Sequence, residues 1–265
     1  MTTVAAVQMI SSPHVEDNLA TARRLVAEAA ANGAALVTLP EYWPIMGMTD
    51  SDKVARAEHP GQGPIQDAMA QMAREHGVWL IGGTLPLVSP DANKVMNTTL
   101  VFDPSGKPVS RYDKIHLFGF TKGSEHYDEA RTIVPGESVV MFDAPFGRVG
   151  LAVCYDLRFP ELFRAMGECT LMIVTAAFTH TTGMAHWEVL LRARAIENQC
   201  YVLASAQGGT HVNGRRTFGH SMLIDPWGEV KAVLAEGEGV VSGQIDAAYL
   251  AQVRENLPAL KHRKL

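Results

Sequence analysis

The segments LVFDPSGKPV (residues 100–109) and MLIDPWGEVK (residues 222–231) share one pattern. Apolar residues lead into Asp-Pro, one further residue and Gly, and a second strand-like stretch follows. Asp-Pro-x-Gly is turn chemistry. Proline fixes φ, glycine reaches positive φ, and the aspartate side chain accepts from N–H groups just downstream. Both segments therefore read as β-hairpins. The turn is common, so two copies alone do not establish a repeat. The elements that precede them decide the matter.

Before the first hairpin come VAAVQMI (4–10) as a strand and VEDNLATARRLVAEAAANG (15–33) as an amphipathic helix with early acids and an Asn-Gly stop. ALVTLPE (35–41) is a buried strand. PIQDAMAQMAREHG (64–77) is a helix with Pro64 near its start and Gly77 past its end. VWLIGGT (78–84) is another strand. The second hairpin has the same prelude: RVGLAVC (148–154), PELFRAMGE (160–168), LMIVTAA (171–177), MAHWEVLLRARAIENQ (184–199) and CYVLASAQ (200–207). We expect two similar halves, roughly 1–125 and 145–245, related by a pseudo-twofold axis within one domain spanning 1–265. In each half the helices link successive strands, so they cover one face of a mixed sheet. Two such sheets packed face to face give an α/β fold, a four-layer αββα sandwich.

Composition narrows the function. The chain has 265 residues, a formal net charge of −5 and no basic stripe, which argues against general nucleic-acid binding. No apolar run is long enough for a membrane span, and the start, TVAAVQMI, lacks the pattern of a secretory signal. The 3 cysteines are widely spaced, without a CxxC pair or metal-ligand spacing. That suits a reducing cytoplasm and gives neither a disulfide framework nor a metal site. The cluster Glu125, His126, Asp128 and Glu129 reads as a polar loop rather than a ligand set.

In α/β sheets reactive groups gather beyond the carboxyl ends of strands. Glu41 follows ALVTLP, Lys114 follows PVSRYD and Cys154 follows GLAV. Taken singly, each has an ordinary structural role: a solvated or capping acid, an edge charge, a small buried hydrophobe. Converging, they make a set suited to amide hydrolysis. The carboxylate takes the thiol proton, and the ammonium favours the thiolate and then holds an oxyanion.

LVTLPEYW (36–43), RYDKIHLF (111–118) and GLAVCYDLRFPEL (150–162) resemble, in that order, the three signature segments of the nitrilase superfamily of carbon–nitrogen hydrolases. The likeness runs from AAVQM to LPALKHRKL. It implies Glu41 as general base, Lys114 as oxyanion-stabilising lysine and Cys154 as nucleophile. It also implies Glu129, in DEARTIVPG, as a second glutamate, and the Tyr155 N–H as second oxyanion donor. It implies the four-layer sandwich, a homodimer built on the helical faces, and no cofactor or metal. TGMAHWEVLLRARAIENQCYVLASAQ (182–207) and FGHSMLIDPWGEV (218–230) resemble the Nit branch. The implied substrate is a small carboxamide, either an ω-amide or a deaminated-glutathione-like molecule.

GFTKGSEHYDEA (119–130) departs from that branch and borders the expected pocket. Such a substrate carries carboxylate remote from its amide, so the pocket needs cations besides Lys114. Arg215 and Arg216, in the loop THVNGRRTFGH, lead the candidates, with Arg158, Lys122 and Arg131 behind them. His116 is expected to line the same site. Arg158 suits either a buried ion pair or a substrate contact. Competing functions are an N-carbamoyl amine hydrolase, a true nitrilase, a papain-like Cys–His pair and a redox-sensing thiol protein.

Overall fold

The computed structural model describes residues 1–123 and 125–264; Ser124, within the loop that departs from the Nit branch, and Leu265 lie outside the described residues. The strands, in chain order, are β1 (Thr2–Gln8), β2 (Leu36–Thr38), β3 (Trp79–Ile81), β4 (Leu85–Val88), β5 (Val95–Phe102), β6 (Pro108–Asp113), β7 (Gly119–Lys122) and β8 (Glu125–Asp128). They continue with β9 (Ile133–Val134), β10 (Met141–Ala144), β11 (Gly147–Val153), β12 (Leu171–Ala176), β13 (Tyr201–Ala206), β14 (Ser221–Ile224), β15 (Val230–Leu234) and β16 (Gly239–Ile245). The helices are α1 (Val15–Ala31), α2 (Asp52–Ala55), α3 (Pro64–His76), α4 (Pro160–Ala165), α5 (His180–Asn198) and α6 (Ala247–Asn256).

Two mixed sheets result, one of 8 strands and one of 6, with β7 and β8 as a separate pair. In the first sheet β1, β2 and β3 are parallel and β5 then runs antiparallel to β3. In the second, β11, β12 and β13 are parallel and β14 runs antiparallel to β13. The hairpins β5–β6 and β14–β15 match bond for bond. Asp103 Oδ1 accepts from the N–H groups of Ser105 and Lys107, and Asp225 Oδ1 from those of Trp227 and Glu229. Gly106 and Gly228 close the two turns at φ 80° and 87°.

The halves are not divided where the sequence suggests. β16, from the second half, pairs antiparallel with β1 and joins the first sheet. Its counterpart β10, at 141–144, pairs in the same way with β11. Each sheet thus gains an antiparallel strand beside its first parallel one, and the twofold likeness extends further than the hairpins. α5 also starts earlier than expected. Thr179 caps it by accepting from the Thr182 N–H, a signal hidden in a Thr-rich stretch.

The core explains the apolar runs. Val4 and Ala6 of β1 pack between the sheets, whereas Ala5 and Val7 pack under α1 and α3. A strand buried on both faces reads as continuous apolar sequence. Polar links also tie the sheets: Gln8 Oε1 in β1 accepts from the N–H and hydroxyl of Ser221 in β14. The sandwich fixes the carboxyl ends of β2 and β11 relative to each other, and the candidate site lies there.

Candidate active site

Glu41 lies just beyond β2, Lys114 just beyond β6 and Cys154 just beyond β11. All three are buried. Lys114 Nζ stands at the centre. It lies 2.8 Å from Glu41 Oε1 and 2.8 Å from Glu129 Oε2. Glu41 is held by three donors: Lys114 and Asn97 on Oε1, and the Ala177 N–H on Oε2. Glu129 accepts from Lys114, the Tyr42 hydroxyl and the Phe118 N–H.

Cys154 opens a 3-10 turn, Cys154–Arg158, and has φ 51°. Few side-chain-bearing residues adopt such a backbone, and it is kept only where the surroundings impose it. Asp156 does much of the imposing. Its Oδ2 accepts from the Val153 N–H and the Tyr112 hydroxyl, and its Oδ1 from the His116 N–H. Asp156→Asn turns an acceptor into a donor against these groups. We expect a loss of roughly 2–4 kcal/mol in stability, measured by urea unfolding, with a matching fall in turnover.

The charges follow from this packing. Burial works against the Lys114 ammonium, but the carboxylates of Glu129 and Glu41 outweigh it and hold its pKa well above the lysine range. Burial likewise opposes the charge of Glu129, and Lys114 wins, so its pKa is lowered. Cys154 behaves otherwise. Burial pushes its thiol well above the ordinary value, Glu41 and Glu129 push the same way, and Lys114 and the Ala177 N–H oppose them without prevailing. From sequence, the ammonium is expected to favour the thiolate. Lys114 does act in that direction, but burial and the two carboxylates outweigh it, so the group at rest is a thiol that needs a base.

The sequence pattern of the carbon-nitrogen hydrolase family matches residues 3–255. The chain belongs to that family. It is 40% identical to a deaminated glutathione amidase of Yersinia enterocolitica over 98% of this chain and 92% of that one. It is 39% identical to omega-amidase NIT2-A of Xenopus laevis, over 98% of this chain and 94% of that one. Among solved structures, the C. elegans NitFhit protein superposes with a TM-score of 0.92 at 38% identity. That match covers 99% of this chain but 65% of NitFhit, so the present chain spans about two-thirds of that protein.

In this carbon–nitrogen hydrolase a recess lies over Cys154, walled by Phe118, Glu129, Tyr155, Phe178, Thr179 and Arg215. It offers about 10 Å³, room for about one water. The main-chain N–H of Tyr155 lies in the first turn of its 3-10 helix, where N–H groups lack partners within the helix. Of the two arginines favoured from sequence, only Arg215 reaches the recess. Arg216 points away and pairs with Glu236 at the surface, because neighbours in an extended loop face opposite sides. His116 does not line the recess. Its ring lies 3.7 Å over Phe159, with Nδ1 on Asp156 Oδ1, so it braces the turn. Arg158 makes no ion pair among the described residues: it is half-buried, with Nη1 3.2 Å from His186 Nδ1, and lies 5.2 Å over Phe178 and 5.8 Å from the Tyr155 ring, behind two walls of the recess. Lys122 and Arg131 are exposed.

The acidic cluster disperses. Glu125 turns to Thr181, His126 to Thr121, Asp128 caps the next turn and Glu129 meets Lys114. Among the described residues no group of three His, Cys, Asp or Glu side chains is placed to hold a metal. The loop 119–130 contains the β7–β8 hairpin, whose Phe120 and Tyr127 pack against Phe118. Sequence reasoning missed Tyr42, Asn97 and the Ala177 N–H. Tyr42 directly follows Glu41 in LPEYW, and its φ of 56° aims it at Glu129. The other two had no local signal.

Proposed function

We propose that this carbon–nitrogen hydrolase is a thiol amidase that converts a small carboxamide, an ω-amide or deaminated-glutathione-like molecule, to acid and ammonia. One observation carries the reading: a buried ammonium clasped between two glutamates, beside a cysteine held at positive φ on a strand end. The names of the relatives, deaminated glutathione amidase and omega-amidase, support the substrate class.

In this reading Glu41 takes the Cys154 proton as sulfur attacks the carboxamide carbon. The C–S bond forms and the carbonyl pair moves onto oxygen. Lys114 and the Tyr155 N–H hold that oxyanion. Collapse breaks the C–N bond, and Glu41 returns the proton to the departing ammonia. Glu41 then takes a proton from water, whose oxygen attacks the thioester. Collapse of this second intermediate expels the thiolate, which recovers the proton and leaves the acid. Glu129 positions Lys114 throughout. The test is ammonia release across small ω-amides, N-carbamoyl amines and nitriles. Turnover of amides supports the reading, and turnover confined to carbamoyl amines or nitriles replaces it.

The proposal includes a single domain over 1–265, a reducing, cytoplasmic setting and a homodimer. The three cysteines are free and buried, which suits such a compartment. No helix is long and apolar enough to cross a membrane among the described residues. For the dimer, Val189 and Ile196, two turns apart on one face of α5, lie exposed, and Trp227 follows in the turn beside Ile196. Apolar patches of this kind mark contact surfaces. Light scattering after gel filtration is expected to give twice the chain mass, and Val189→Lys to give the monomer.

A further inference from the structure

Tyr42 is buried, directly follows Glu41 and has φ 56°. A side chain of this size keeps such a backbone only where its surroundings impose it. Two buried side chains do so. The peptide between Glu41 and Tyr42 gives its N–H to Thr84 Oγ1 at 2.9 Å, and its carbonyl accepts from Gln207 Nε2 at 3.1 Å. Thr84 stands just before β4 and Gln207 just after β13, so the peptide is gripped from both halves of the sandwich. The strained residue is thus the one that fixes where the Glu41 side chain begins.

The Tyr42 ring packs in an apolar cluster with Met46, Val95, Ile133 and Ala177. Ala177 gives its N–H to Glu41 Oε2, and Ile133 lies in β9, just past Glu129. At the far end of the ring the hydroxyl donates to Glu129 Oε1 at 2.7 Å. Lys114 donates to the same oxygen at the longer distance of 3.1 Å. Oε2 accepts from the Phe118 N–H at 2.7 Å and from Lys114 at 2.8 Å. Tyr42 therefore reaches both glutamates that clasp Lys114, one through its main chain and one through its hydroxyl. Burial opposes the Glu129 charge, and Lys114, the Phe118 N–H and the Tyr42 hydroxyl together hold its pKa below the ordinary value. Burial, Glu129 and Glu41 push the Tyr42 phenol well above its own ordinary value against the pull of Arg215, so it remains a donor near neutrality. Lys53, with Nζ 5.2 Å from the ring centre, and the Cys154 thiol also feel the Glu129 charge.

We propose that Tyr42 is a positioning residue of the hydrolytic reaction: its hydroxyl fixes the Glu129 carboxylate and its main chain fixes Glu41, and the two together place Lys114 where the oxyanion forms. An ammonium clasped by two carboxylates stands where they stand. An oxyanion donor misplaced by a fraction of an ångström loses much of its effect. The proposal rests on the amidase reading for the reaction, while the contact with Glu129 is measurable without turnover.

The test is Y42F, which removes one oxygen and leaves the ring in its cluster. On the amide that wild type turns over best, kcat is expected to fall about tenfold or more while KM stays within about twofold. A raised KM with kcat unchanged overturns the proposal and makes Tyr42 a wall of the substrate site. Both constants unchanged overturn it as well. The second readout is a carboxyl NMR titration of protein carrying isotope-labelled glutamate, in which Glu129 is the signal that E129Q lacks. Its midpoint is expected at higher pH in Y42F than in wild type, because a donor to the charged form is gone. A merely structural tyrosine leaves that midpoint where it is, and an unmoved midpoint overturns the proposal whatever the activity does. Wild type that releases ammonia from no amide overturns the amidase reading instead. The titration then decides by itself whether Tyr42 fixes Glu129.

Discussion

Cys154→Ala is expected to abolish amide turnover and to leave the fold intact. Removing the nucleophile of a hydrolase triad costs on the order of 10⁶ in kcat, and a loss of similar size is expected here. The fold survives for a local reason. The strain at this position lies in the backbone, at φ 51°, and Ala bears it as Cys does. The groups that hold the turn, Asp156 with Val153, Tyr112 and His116, are untouched. The melting temperature is therefore expected to move by only a few degrees. Intact-mass measurement under substrate is expected to show an acyl adduct on wild type and none on the variant. A folded variant that keeps even about one-hundredth of the activity removes Cys154 from the mechanism.

What was legible in the sequence is what short stretches of chain determine. The Asp-Pro-x-Gly turns are set by four residues, and the structure repeats their hydrogen bonds atom for atom. The parallel strands are apolar throughout because both faces are buried, and that pattern survives in one dimension. Cys154 stands out because an apolar run delivers it to a polar turn. β16 does not stand out as a member of the first sheet, since its pairing with β1 joins opposite ends of the chain, Thr2 with Ile245. Asn97 and Ala177 are hidden for the same reason. Each is an ordinary residue until the sandwich brings separate strand ends together. Arg215 and Arg216 are adjacent and chemically alike, and only the course of the loop separates the one at the recess from the one paired with Glu236.

Glu41→Gln is expected to give two changes of opposite sense. Turnover falls by about 10²–10⁴, the usual effect of losing a general base, or by more, since the same carboxylate serves both half-reactions. Meanwhile the Cys154 pKa falls, because Glu41 is the leading charge that holds the thiol up. Without it the Lys114 ammonium, still paired with Glu129, favours the thiolate more strongly. The variant thus carries more thiolate at a given pH and yet turns over less. A mechanism that needed only a thiolate would gain from the substitution. One that needs a proton moved to the leaving nitrogen, and then taken from water, loses. Thiolate absorbance against pH, corrected with Cys154→Ala, reads the first change. Cys169, raised to about 11, and Cys200, raised as well, contribute only at high pH, and the Cys154→Ala background subtracts them. Ammonia release reads the second. The introduced carboxamide keeps an oxygen for Lys114 and Asn97 but turns its NH₂ toward the Ala177 N–H. Roughly 1–3 kcal/mol of stability is lost as well, so activities are compared well below the lower melting temperature. A thiol pKa higher than wild type removes Glu41 as the charge that sets the resting state. Turnover within about tenfold of wild type removes it as the base.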